Sequence, residues 1–184
     1  APLSLAGEPS NMEIYNQFPL KELIIHPRIQ TDFYKGKPRM DHFTSAYLVR
    51  RASMCYNGDI FTEEDWLNII EQFPNIDSVM IGRGVLADPS LTGKIKGRKE
   101  TTKEQWIGFL QKLREDYQQI SIDDEKTLFR MKEVWAYLRF SFPEMDVWND
   151  TIKKIPDLHT YYKKVMEFME QYPSMPGGPF GSIK

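Results

Sequence analysis

A single cysteine in 184 residues rules out an internal disulfide framework and a multi-cysteine zinc site, and it fits a reducing compartment. No apolar run approaches membrane-spanning length, and no basic stretch followed by an apolar block opens the chain. The default location is therefore cytoplasmic. A formal charge of -2 supplies no global basic field, so a polyanion would have to be met by local patches. There is no internal repeat and no extended low-complexity tract, and the opening Ala1-Pro2-Leu3-Ser4-Leu5-Ala6-Gly7 carries no initiating methionine. What remains is an ordinary globular composition, 41% hydrophobic and 27% charged, long enough for one large domain or two small ones.

Within that composition three short apolar runs end alike. Leu23-Ile24-Ile25 closes in His26-Pro27-Arg28, Met54-Cys55-Tyr56 closes in Asn57-Gly58-Asp59, and Val79-Met80-Ile81 closes in Gly82-Arg83-Gly84. The first run reads as a parallel strand buried on both faces. Helices are predicted before, between and after them. Ser10 caps a first helix carrying Met12, Tyr15, Asn16 and Phe18; Asp41–Arg51 directs Phe43, Leu48 and Val49 to the core; Thr62 opens a helix with Trp66, Leu67, Ile69, Ile70 and Phe73. Asp88-Pro89 predicts an N-cap and first residue of a further short helix. Strand and helix thus alternate three times, the pattern of a parallel α/β sheet with ligands at the carboxyl ends of its strands.

After Thr92 no strand is expected. Lys94-Ile95-Lys96-Gly97-Arg98-Lys99 reads as a basic linker, and Thr101-x-x-Glu104 as a capping box opening a helix with Trp106, Ile107, Leu110 and Leu113 on one face. Helices follow over Asp123–Phe140, Val147–Ile155 and Leu158–Tyr172, and the tail Pro173–Lys184 is expected to be loose. The stripe Trp106, Phe129, Trp135, Tyr137 and Phe140 is predicted to be helix core. Domains 1–92 and 93–184 result.

Glycine lets backbone N–H groups approach an anion, and arginine supplies a fixed bidentate charge. The two glycine-bearing turns therefore predict a phosphate cradle. Either turn alone is ordinary β–α turn chemistry, and His26 alone is an ordinary strand-end histidine. Their order and joint occurrence favour the cradle. Cys55 is expected to be a small buried hydrophobe, and Asp123-Asp124-Glu125 to be first-turn helix charges rather than a metal site.

Ile24-Ile25-His26-Pro27-Arg28, Tyr34-x-Gly36, Tyr56-Asn57-Gly58-Asp59-Ile60 and Val79-Met80-Ile81-Gly82-Arg83-Gly84 together resemble the tRNA-dihydrouridine synthase family, flavoenzymes with a TIM-type barrel followed by a helical RNA-binding domain. The resemblance implies that the chain is α/β, the last three β/α units of such a barrel followed by an all-helical domain. It implies FMN, reduced by NADPH, acting on a tRNA uridine flipped out of its stack. It assigns the flavin phosphate to backbone N–H groups of Asn57, Gly58, Asp59, Gly82 and Arg83, with the Arg83 side chain as countercharge, and His26 to the flavin ring. Arg28, Tyr34, Lys35 and Lys37, aided by the basic linker, are expected to face RNA.

The family pattern calls for a catalytic cysteine on an early loop and a Lys-x-Arg strand near residues 3–7, and neither is present. The chain is thus expected to be a carboxyl-terminal fragment, inactive alone, whose open barrel edge leads to self-association. Two alternatives stay open: a non-catalytic RNA-binding module, and a different FMN or phosphate-binding barrel oxidoreductase.

Overall fold

The structure is a computed structural model that describes residues 10–32, 36–98, 101–121, 123–142 and 145–171. It divides into two compact units, Ala1–Ile60 with Glu64–Gly82, and Phe61–Glu63 with Arg83–Lys184.

The first unit contains α1 (Asn11–Tyr15), β1 (Glu22–Ile25), α2 (Met40–Val49), β2 (Ser53–Tyr56), most of α3 (Glu63–Gln72) and β3 (Ser78–Val79). The strands form one parallel sheet in the order β1-β2-β3. Ser10 caps α1 in a reciprocal box with Glu13. The core lies on one sheet face, where Met54 and Tyr56 of β2 are 0% and 2% exposed. There Phe43 of α2 meets the edge of Tyr56 at 4.9 Å, and Phe73 meets Phe43 and Tyr47, each at 5.0 Å. Asp77 fixes the start of β2, since its carboxylate accepts the Met54 N–H at 2.9 Å. That bond is the leading cause holding the Asp77 carboxyl below its ordinary pKa.

Two expectations for this unit are corrected. α2 buries Phe43, Ala46 and Tyr47 rather than Leu48 and Val49, which are 74% and 55% exposed. Tyr47 wins because its ring joins the aromatic cluster while its hydroxyl accepts the Asn75 N–H at 3.1 Å. Nor is β1 covered on both faces. Ile24 pairs with Cys55 and so points away from the face that Tyr56 occupies, where it is 44% exposed.

The regular elements among the described residues of the second unit are helices: α4 (Arg83–Ala87), α5 (Leu91–Ile95), α6 (Lys103–Ile120), α7 (Asp124–Leu138), α8 (Met145–Ile152) and α9 (Leu158–Gln171). Its core holds an aromatic group among aliphatic side chains. Trp135 stacks on Phe142 at 6.1 Å, and the fully buried Phe168 stands edge-on to Trp135, Phe142 and Trp148. Trp106 and Leu110 join this core from α6, with Ile107 and Leu113 partly buried against it.

The capping box of α6 lies one residue later than expected, between Thr102 and Gln105. Asp88 is not a helix N-cap. Its buried carboxylate takes the Ser90 N–H at 2.9 Å and Lys94 Nζ at 2.7 Å, and Ser90 heads α5 instead. The basic stretch is accordingly not an open linker. Lys94 and Ile95 are helical, Gly97 turns in the left-handed region (φ 70°), and Arg98 N–H closes onto the Gly93 carbonyl at 2.9 Å. Phe129 leaves the predicted core stripe, being 60% exposed. The expected loose tail, Pro173–Lys184, lies outside the described residues, as does Lys99.

Candidate functional site

Register decides where the three motifs lie. Ile25 is paired with Tyr56, and Tyr56 with Val79, in parallel ladders. The segments leaving these residues therefore depart from one rim of the sheet. Met80 N–H extends the pairing by one bond to the Tyr56 carbonyl, 2.8 Å. The loop 57–59 and Gly82 are thus carried by neighbouring strand ends of the same unit.

Three ties lock the first two strand ends together. Asn57 N–H donates to the Ile25 carbonyl at 2.9 Å, and His26 Nδ1 lies 2.5 Å from the Asn57 carbonyl. A carbonyl can only accept, so Nδ1 carries the hydrogen and the imidazole tautomer is set by the loop. The third tie is the Arg28 guanidinium, which forks onto the Asp59 carboxylate, Nη1 to Oδ1 at 3.1 Å and Nη2 to Oδ2. Arg28 Nη2 also donates to the Gly36 carbonyl at 2.8 Å.

The two central glycines stand in opposite surroundings. A Cβ on Gly58 would fall 2.0 Å from Tyr56 Oη, inside a ring that is itself buried. No side chain fits there while Tyr56 holds its place. A Cβ on Gly82 would meet nothing within 4 Å, so the backbone there is open to an approaching group. Burial, followed by the nearby Asp59 charge, pushes the Tyr56 phenol up to about 12, so it stays protonated at neutral pH.

Each predicted residue can now be placed. His26, Asn57, Gly58, Asp59 and Gly82 are brought together on one rim. Asn57 differs from expectation in one respect: its N–H is committed to Ile25 and is not available to an anion. The N–H groups of Gly58 and Gly82 have no acceptor among the described residues, as an anion cradle requires. Arg83 begins α4 in the second unit, its guanidinium 5.5 Å from the Phe61 ring centroid.

Arg28 turns inward. Its side chain is 3% exposed and engaged with Asp59 and Gly36, so it does not present its charge outward as expected. Lys37 is exposed, and Tyr34 and Lys35 lie outside the described residues. Sequence reasoning missed the Tyr56–Gly58 contact and the Arg28–Asp59 pair. A Tyr-x-Gly spacing at a strand end signals the first in retrospect, whereas nothing local signals a pairing across 31 residues.

Cys55 is 3% exposed within β2, and burial raises its thiol pKa. Among the described residues no helix is long and apolar enough to cross a membrane.

Residues 11–172 match the family model described as Dihydrouridine synthase (Dus). A tRNA-dihydrouridine(16) synthase of Ralstonia nicotianae is 27% identical over 144 residues, covering 73% of this chain and 42% of the relative. One of Shewanella oneidensis is 31% identical over 128 residues, covering 68% of this chain and 39% of the relative. A tRNA-dihydrouridine(47) synthase [NAD(P)(+)] of Debaryomyces hansenii is 38% identical over 47 residues, 26% of this chain and 7% of the relative. The chain spans about two fifths of the length of the first two relatives.

Gly58→Ala should force the Tyr56 ring from its buried position and destabilise the first unit by about 1–3 kcal/mol, the usual cost of overpacking. Urea unfolding checks this, with Gly82→Ala beside it. Gly82→Ala should stay within about 0.5 kcal/mol of wild type, because its Cβ meets open space.

Proposed function

Since the chain belongs to the dihydrouridine synthase family, we propose that it supplies the phosphate-binding rim and the RNA-facing surfaces of a flavin-dependent enzyme that reduces uridine to dihydrouridine in tRNA. In this reading β1, β2 and β3 are the sixth, seventh and eighth strands of a TIM-type barrel, and the helical unit is the RNA-binding domain. The observation that carries it is the parallel register Ile25–Tyr56–Val79, which sets the two glycine-bearing strand ends side by side on one rim.

The residues present fit the FMN phosphate. Gly58 and Gly82 each offer an N–H without an acceptor among the described residues, and Gly82 offers open space above its backbone. Asp59 would add a backbone N–H group. His26, held by its Nδ1–H on the Asn57 carbonyl, would lie beside the isoalloxazine ring with its orientation preset. FMN, when bound and reduced by NADPH, supplies the hydride that saturates the uracil C5–C6 bond.

Saturating that bond also takes a proton. Cys55 is a poor donor, enclosed in β2 with a raised thiol pKa. In this reading Cys55 is not the source of that proton, and the residues named above bind and orient. Exposed Lys37, with Tyr34 and Lys35 beside it in sequence, would meet the tRNA backbone. The open sheet edge, with half-exposed Ile24 on the end strand β1, would seek a second copy when the chain is alone.

Titrating FMN into the chain should quench flavin fluorescence, and Gly82→Ala should weaken binding roughly tenfold, about 1.4 kcal/mol, with unchanged thermal stability. Absence of quenching at high protein concentration would count against the cradle. tRNA binding should fall with salt, and Lys37→Glu should reduce the slope of log K against log salt by about one; an unaltered slope would remove Lys37 from the interface. Sedimentation equilibrium should show concentration-dependent association, and a compact monomer at all concentrations would exclude self-association through the sheet.

A further inference from the structure

The Arg28 guanidinium is nearly enclosed, yet its hydrogen bonds go to two separate stretches of chain. One is Asp59, in the loop that closes β2; the other is Gly36, ahead of α2. Nη2 serves both, so the two stretches meet at a single nitrogen. Gly36 presents its carbonyl from the left-handed region (φ 75°), where a side chain is strained. The foot of the same segment is tied to the residue next to Arg28. Arg39 N–H donates to the Pro27 carbonyl at 2.8 Å, and the Asp32 carboxylate takes both the Ile29 N–H at 3.0 Å and Arg39 Nη2 at 3.1 Å. Arg28 Nε has no acceptor among the described residues, so leaving the guanidinium buried is worthwhile only while both outer contacts persist.

We propose that Arg28 is a positioning residue that couples the loop 57–59 to the segment Gly36–Arg39, so that whatever orders one orders the other. The coupling itself stands on these contacts alone. Its consequence for the enzyme rests on the function proposed above: an anion settling on the loop 57–59 fixes Asp59, Asp59 holds the Arg28 fork, and the fork holds Gly36 beside the exposed Lys37. Reciprocity then requires RNA contact at Lys37 to tighten the anion site by the same factor.

Residue-resolved amide exchange on the full chain separates this coupling from simple support. Asp59→Asn, remote from Arg39 in sequence, should speed exchange of the Arg39 amide at least tenfold while leaving the Met54 amide, held by Asp77, unchanged. Arg28→Lys keeps a charge for Asp59 but cannot fork to Gly36 as well. It should leave Asn57 within twofold of wild type and release Arg39, whereas Arg28→Ala should release both. A merely structural arginine would move both amides alike in every variant. Saturating FMN should slow Arg39 exchange in wild type and leave it unaltered in Arg28→Lys. The coupling is overturned if Asp59→Asn leaves the Arg39 amide at its wild-type rate, or if FMN slows that amide equally in Arg28→Lys. If FMN does not bind wild type, the flavin reading falls, and the Asp59→Asn and Arg28→Lys arms still decide the coupling.

Discussion

Parallel pairing of three short strands is the constraint on which the site depends. Only if β1, β2 and β3 run the same way, with Ile25, Tyr56 and Val79 level, do three separate loops leave one rim as neighbours. The strands are only four, four and two residues long, so backbone pairing alone fixes them weakly. The pairing is reinforced by Asp77 on the Met54 N–H, outside the ladder, and closed by the Asn57 N–H on the Ile25 carbonyl. The aromatic cluster Phe43, Tyr47, Tyr56 and Phe73 then settles which face is inside, because a one-residue slip would move Tyr56 out of it.

A carboxylate beside a proposed phosphate cradle looks electrostatically wrong, and Arg28 resolves the difficulty. An unpaired Asp59 would repel a dianion across a partly shielded site. With a bidentate guanidinium on it, the pair is close to neutral and the loop's remaining polarity is its outward N–H groups. Burying an arginine to this degree costs several kcal/mol in desolvation, and a buried ion pair is weak evidence for net stability. Its value is directional. An apolar substitute could fill the space but could not hold a carboxylate and a carbonyl at fixed angles. The position that resembled an RNA contact in sequence is thus a brace, since the same fork that suits a phosphate suits Asp59.

Local signals were legible where the physics is local. The Ser10 N-cap and the Trp106, Leu110 stripe of α6 appear as predicted. Errors arose where a neighbour distant in sequence outcompeted a local preference. Leu48 and Val49 are better apolar residues than Tyr47, yet Tyr47 is buried because Phe73 and the Asn75 amide give its ring and hydroxyl partners. Phe129 has helical core spacing but looks outward, the buried positions of α7 being filled by Leu128, Met131, Trp135 and Leu138. Asp88 has the residue type of an N-cap, but Lys94 and Ser90 draw its carboxylate into a turn. At the site, the glycine turns were legible as a set. That Asn57 spends its N–H on Ile25 was not, because that bond exists only once β1 and β2 are paired.

Gly58 and Gly82 show why residue type alone could not separate structure from function here. Both follow a strand, and both read as places where backbone approaches something closely. At Gly58 the close neighbour is the chain's own Tyr56 ring, so glycine is demanded by the fold whether or not a ligand ever binds. At Gly82 the fold makes no such demand: a methyl group would meet no atom and the backbone is not in the left-handed region. A glycine the fold can do without, on the same rim as a glycine it cannot do without, is what a ligand-facing position looks like. Gly82 is therefore the position where the proposed phosphate site and the architecture can be varied independently, and the case for a cradle is strongest at the residue that packing leaves unexplained.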